Sequence, residues 1–128
     1  MTESAPRIDW NRKFSVAWAG IRSSWRTQAS LRVHIVCTPL VLVLAAVSRL
    51  GPLQWAVLLF SIGLVISMEL LNTAIEAVVD LCSPEHSELA REAKDAAAGA
   101  VLVASITAVL VGASVFLPVW LALLKPNQ

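Results

Sequence analysis

Charge is scarce in this 128-residue chain. Only 15% of its residues are charged, 57% are hydrophobic, and the formal net charge is +1. Mean hydropathy is +0.71. That balance excludes a disordered chain and leaves no basic surplus for binding nucleic acid. Cysteine is scarce too. Cys37 and Cys82 lie in or beside apolar runs, with no C-x-x-C pair and no Cys/His cluster. A disulfide scaffold and a thiolate metal site are thereby excluded, and both thiols are expected to be buried. No G-x-x-x-x-G-K-[ST] run and no kinase-type glycine-rich loop occurs, so the soluble nucleotide-binding folds marked by those motifs are excluded as well. The first thirty residues are polar and basic and do not read as a signal peptide.

What the chain has instead is uncharged length. Residues 50–68 and 96–124 contain no charged side chain. Runs of that size reach across a bilayer. The reading is one domain over residues 1–128, all-α and membrane-integral. A region over 1–29 lies in the membrane interface, and spans follow over 31–48, 53–81 and 96–124. The first span has Pro39 inside it. Ser48 to Pro52 reads as a tight connection, and Ser83-Pro84 as a helix-start signal before a short charged segment from Glu85 to Asp95. Arg7, Arg12, Lys13, Arg22, Arg26, Arg32, Arg91 and Lys94 stand on one side, against Arg49 and Lys125 on the other. Eight basic residues against two predict a cytoplasmic N-terminus.

Ahead of the first span, Trp10, Phe14, Trp18, Ile21 and Trp25 fall within an arc of about 80° on a helical wheel. Arg12, Lys13, Ser15, Ser23 and Arg26 fall elsewhere. An amphipathic helix in the interface, with its rings toward acyl chains, fits this pattern. A stripe packed on the bundle fits it too.

The informative stretch is Glu69-Leu-Leu-Asn72-Thr-Ala-Ile-Glu76-Ala-Val-Val-Asp80. Ionisable groups inside a span are costly and face protein or water, not lipid. At about 100° per residue, Glu69, Asn72, Glu76 and Asp80 share one narrow helical face. Three carboxylates and a carboxamide form a polar ladder. It could pair with cations of another helix, bind metal, relay protons or catalyse. Repulsion among close carboxylates favours a bound cation or a retained proton. Hard oxygen ligands suit Mg²⁺, which usually arrives with phosphates. Lys94-Asp95 stands at the mouth of the third span. Alone it reads as a pair of interfacial charges. A short loop brings it to the depth of Glu76 and Asp80, and carboxylates for Mg²⁺ beside a lysine for phosphate are the parts phosphoryl transfer uses.

The Glu69 to Asp80 stretch, followed by Lys94-Asp95, resembles the signature of the prokaryotic diacylglycerol kinase family, small membrane lipid kinases acting on diacylglycerol or undecaprenol. The resemblance runs from about Phe14 to Leu117 and includes Trp18, Gly20, Arg22, Trp25, Arg32 and the Ala-Lys94-Asp95-Ala-Ala-Ala-Gly run. It implies a homotrimer of three-span protomers in a bacterial inner membrane, with active sites at the cytoplasmic interface between neighbours. It also implies transfer of the γ-phosphate of ATP, with Mg²⁺, to a lipid hydroxyl. By position, Glu69 matches the general base. Glu76 matches a metal ligand, and so does Gln28. Asn72, Asp80, Glu85, His86, Lys94 and Asp95 match the nucleotide site. Trp18, Arg22 and Trp25, together with Glu69, match the lipid site.

Three positions depart from the family pattern. Gln28 stands where many members carry a metal-holding Glu. His34 replaces an acidic residue of the best-known diacylglycerol kinase branch, and with the Ala-Ala-Ala-Gly run it leans the chain toward the undecaprenol kinase branch. Asp9 stands where the diacylglycerol kinase branch has an Arg. A non-catalytic scaffold subunit with a cation-binding face is the alternative reading. An ion conductor is a weaker one, because the acidic groups occupy one half of the membrane only.

Overall fold

The computed structural model describes residues 9–83, 85 and 87–124. Four helices follow one another: α1 (Trp10–Thr27), α2 (Ala29–Val47), α3 (Pro52–Cys82) and α4 (Glu88–Leu124). No strand occurs among the described residues. Helices α2, α3 and α4 are each long and apolar enough to cross a membrane.

Local chemistry accounts for the boundaries. Asp9 caps α1, its Oδ1 accepting from the Arg12 N–H at 3.2 Å. The departure at Asp9 thus has a structural use, since it satisfies one of the free N–H groups of the first turn. One extended residue, Gln28 (φ −104°, ψ 118°), separates α1 from α2. Its N–H still donates to the Ser24 carbonyl at 2.9 Å. Pro39 has no N–H to offer the α2 ladder, yet the helix runs through it. After Val47 the chain turns through Arg49 in the left-handed region, φ 52°. Pro52 then opens α3 at a position where a missing N–H costs nothing. The Gly51 N–H donates to Gln54 Oε1 at 2.8 Å.

One boundary differs from the sequence reading. Ser83 ends α3 and does not begin the next helix; its N–H donates to the Val79 carbonyl at 2.8 Å. Pro84 lies outside the described residues. The helix start is at Ser87, whose Oγ accepts from the Ala90 N–H at 3.2 Å. Glu88 to Asp95 is therefore helical and continuous with the third span. That segment has no breaker, and its charges pair one turn apart. Arg91 meets Glu88 at 2.7 Å and Asp95 at 3.2 Å.

α4 returns antiparallel along α3 and makes the most extensive helix contact in the chain. The apolar core sits at the end away from Asp80. Ala45, Leu50, Leu58, Val115 and Phe116 are buried there, with Trp55 and Val41 packed against them. Phe116 stacks on Trp120 at 5.5 Å, and the Trp120 indole N–H donates to Ser48 Oγ at 3.2 Å. Most large apolar side chains face outward, among them Phe60, Leu71, Val78, Leu102 and Val109. Water would not tolerate that surface, whereas lipid or another apolar chain would. Cys37 and Cys82 are also exposed, not buried as the apolar runs suggested, because both fall on outward faces. Added methyl groups at Gly99 and Gly112 would meet nothing within 4 Å. Packing inside one chain does not explain those small residues.

Candidate active site along α3

The polar ladder lies along α3 with a steep gradient of burial. The Glu69 side chain is 2% exposed, Asn72 and Glu76 are half-buried, and the Asp80 side chain is 66% exposed. Glu76 lies about 10 Å along the helix from Glu69, at 1.5 Å per residue. One face thus leads from a dry carboxylate to a wet one.

Each of the three carboxylates has a partner from outside α3. Ser30 Oγ donates to Glu69 Oε2 at 2.8 Å. His34 Nε2 stands 3.2 Å from Glu69 Oε1. That contact is close but off the line of a hydrogen bond, so Oε1 is a buried acceptor without a donor. Glu76 accepts at both oxygens, from Gln28 Nε2 at 2.9 Å and from Asn72 Nδ2 at 3.0 Å. The break between α1 and α2 is what aims Gln28 at α3. Asn72 Oδ1 is buried and has no donor. Lys94 Nζ meets Asp80 Oδ1 at 2.8 Å and ties α4 to α3. Around this last pair an open cleft of about 370 Å³ is lined by Val79, Asp80, Ser83, Glu85, Arg91, Lys94 and Asp95.

The sequence-predicted residues therefore fall into three groups. Glu69 is the deep end. Glu76, Asn72 and Gln28 are joined by hydrogen bonds at the middle. Asp80, Lys94, Asp95 and Glu85 line the cleft, where Asp95 is held by Arg91 and not by the ladder. His86 lies outside the described residues. Trp18, Arg22 and Trp25 line a separate groove of about 420 Å³ with Ile21 and Ile35, between α1 and α2. Arg22, Arg26 and Arg32 make no ion pair among the described residues. Ser30 and the direct contact of His34 with Glu69 escaped the sequence reading. Their signal was available: two polar side chains four residues apart in the first turns of an apolar helix share one face.

Among the described residues, no three His, Cys, Asp or Glu side chains gather as a metal site. A hard cation held here would take the Glu76 carboxylate, carboxamide oxygens and oxygens of its substrate. The donor set fits that arrangement. The buried Asn72 Oδ1 is an oxygen in want of a positive partner, and Mg²⁺ is usually held by one or two carboxylates plus substrate phosphates.

Comparison with known proteins agrees with the motif. The family described as prokaryotic diacylglycerol kinase matches residues 15–116. A diacylglycerol kinase of Synechocystis sp. is 45% identical over 112 residues, covering 87% of this chain and 64% of that protein. The undecaprenol kinase of Bacillus subtilis is 39% identical over 107 residues, covering 84% of this chain and 87% of its own length. The diacylglycerol kinase of Escherichia coli K12 is 39% identical over 94 residues, covering 73% and 77%. With four-fifths of its length matched and the Glu69 to Asp80 ladder in place, this chain belongs to the prokaryotic diacylglycerol kinase family.

Proposed function

We propose that this chain is a membrane lipid kinase that transfers the γ-phosphate of ATP to the hydroxyl of undecaprenol or diacylglycerol, in a bacterial inner membrane and with its N-terminus in the cytoplasm. Family membership supports the reaction class, and relatives of both names support both acceptors. The observation that carries the reading to this chain is the gradient along α3. A dry carboxylate at depth can meet a membrane-bound hydroxyl, and a wet cleft nearer the surface can meet a nucleotide.

Glu69 takes the hydroxyl proton as the lipid oxygen attacks the γ-phosphorus. Ser30 fixes one carboxylate oxygen and leaves the other free to face the substrate. Glu76, Asn72 and Gln28 would hold Mg²⁺, which supplies neutralising charge for the phosphates when bound. Lys94 contacts phosphate. Its pair with Asp80 is largely exposed, and exposed ion pairs are weak and screened by water, so a phosphate can compete for the lysine. Asp80, Asp95, Glu85 and His86 complete the nucleotide site. Trp18, Arg22 and Trp25 receive the lipid headgroup, with α1 lying in the interface. Unexplained small residues at Gly99 and Gly112 and the outward apolar faces support self-association, and the family resemblance makes that assembly a homotrimer.

A scaffold role would leave Glu69 Oε1 and Asn72 Oδ1 as buried polar atoms with no compensation. Each such atom costs about 1–3 kcal/mol. The test is transfer of labelled γ-phosphate in mixed micelles offered diacylglycerol and undecaprenol side by side, with and without Mg²⁺. Product with either lipid establishes the kinase, and the ratio names the acceptor. No product from folded, oligomeric protein would favour the scaffold.

Gln28→Glu tests the metal corner without an activity readout. The second carboxylate would face Glu76 in place of an amide donor. Thermal midpoint in detergent is expected to fall when divalent cations are chelated, because like charges then repel. Added Mg²⁺ is expected to restore it to or above that of the unaltered chain. Insensitivity to Mg²⁺ would remove Gln28 from the metal site.

A further inference from the structure

We propose that His34 is the proton outlet of Glu69, an inference that rests on the lipid-kinase reading. A base that works repeatedly must lose the proton it gains, and Glu69 is badly placed to do so directly. Its side chain is 2% exposed, whereas that of His34 is 30% exposed. The two Glu69 oxygens are also unlike each other. Oε2 accepts from Ser30 Oγ at 2.8 Å, while Oε1 is buried and lacks a donor. Oε1 is therefore the oxygen left for the substrate hydroxyl, and it is the one that His34 Nε2 approaches to 3.2 Å.

The lipid O–H bond breaks and its proton binds Glu69 Oε1. The lipid oxygen bonds to the γ-phosphorus, and the bond from that phosphorus to ADP breaks, its electron pair leaving with ADP. The proton then moves from Oε1 to the unprotonated Nε2 of His34. The resulting imidazolium, in the second turn of α2 and so near the headgroup end of that helix, passes it to water there. An imidazole can take a proton at one ring nitrogen and pass one on from the other, which suits it to a shuttle. Among the described residues the lining beside His34 offers no rival acceptor. Beside His34 lies a cavity of about 110 Å³ whose other lining is apolar but for Thr38 and Cys37 on the same helix, and to which α4 contributes Ala108. Glu69 on α3 and Cys37 on α2 are the titratable groups facing the imidazole.

His34→Gly, His34→Gln and the unaltered chain are compared in the lipid-phosphorylation assay, with oligomeric state in detergent as the check on folding. For the relay, kcat falls about a hundredfold or more in both variants, the low end of what a positioned proton acceptor contributes. KM for ATP stays within twofold. Imidazole added to His34→Gly restores turnover, and across substituted imidazoles the rate rises with their basicity. Full kcat in either variant overturns the relay. So does recovery with Gln, which can hold Glu69 in place but cannot carry a proton onward, or rescue that ignores basicity. If His34→Gly fails to fold, His34→Gln carries the comparison alone. Absence of transfer by the unaltered chain is a different result, and it overturns the kinase reading together with the relay.

Discussion

Glu69→Gln is expected to abolish phosphoryl transfer while the helices still assemble. The substitution preserves size and removes the basic oxygen. The Ser30 hydroxyl can still donate to the amide carbonyl in place of Oε2, so the α2–α3 contact survives. A neutral amide also suits a site only 2% exposed better than a carboxylate does. The loss in kcat is therefore chemical and is expected to reach about 10²- to 10⁴-fold, the range general-base catalysis supplies. Lipid phosphorylation measured beside the thermal midpoint in detergent separates the two effects. Full activity would remove Glu69 from the role of base. Lost activity with lost assembly would make it a structural residue.

Glu76→Gln is expected to act on MgATP and not on the base. Glu76 is the middle rung and accepts from both Gln28 and Asn72. Because position 28 already brings a carboxamide where a carboxylate is common in the family, Glu76 supplies most of the negative charge at that corner. Its neutralisation leaves carboxamides alone to meet the cation. The Mg²⁺ concentration for half-maximal activity is expected to rise about 10- to 100-fold, a change that even supporting ligands produce. An ATP titration at several fixed Mg²⁺ levels reads this directly. A fall in kcat at saturating Mg²⁺ and ATP, with half-saturation unchanged, would place Glu76 in the chemical step instead. The pair of variants thus tests the proposed division of the ladder into a catalytic end and a metal-binding middle.

Much of this molecule was legible along the chain. Two uncharged runs and a shorter apolar stretch before them located three apolar helices, since a bilayer admits hydrocarbon length and little else. Helical periodicity aligned Glu69, Asn72, Glu76 and Asp80 on one face, and the short loop brought Lys94 back to Asp80. These are local facts, set by rise and twist per residue. The start of α4 at Glu88 was misplaced because Ser83-Pro84 and Ser87 are both plausible starts, and which of them caps a helix depends on how α3 ends. The buried thiols were misjudged for a related reason. An apolar run in a membrane helix does not say which of its faces is turned inward.

Tertiary structure decided the partners. A single extended residue at Gln28 sets the angle between α1 and α2. That break delivers Gln28 to Glu76, while the packing of α2 on α3 carries Ser30 and His34 to Glu69. The periodicity of one helix says which of its side chains lie together. Which atoms of a second helix they meet depends on crossing angle and depth, and those are set by packing across the whole bundle. The sequence by itself therefore determined a three-span chain with an acidic ladder. Only the folded chain decided that the deepest rung is held at one oxygen by a serine and approached at the other by a histidine.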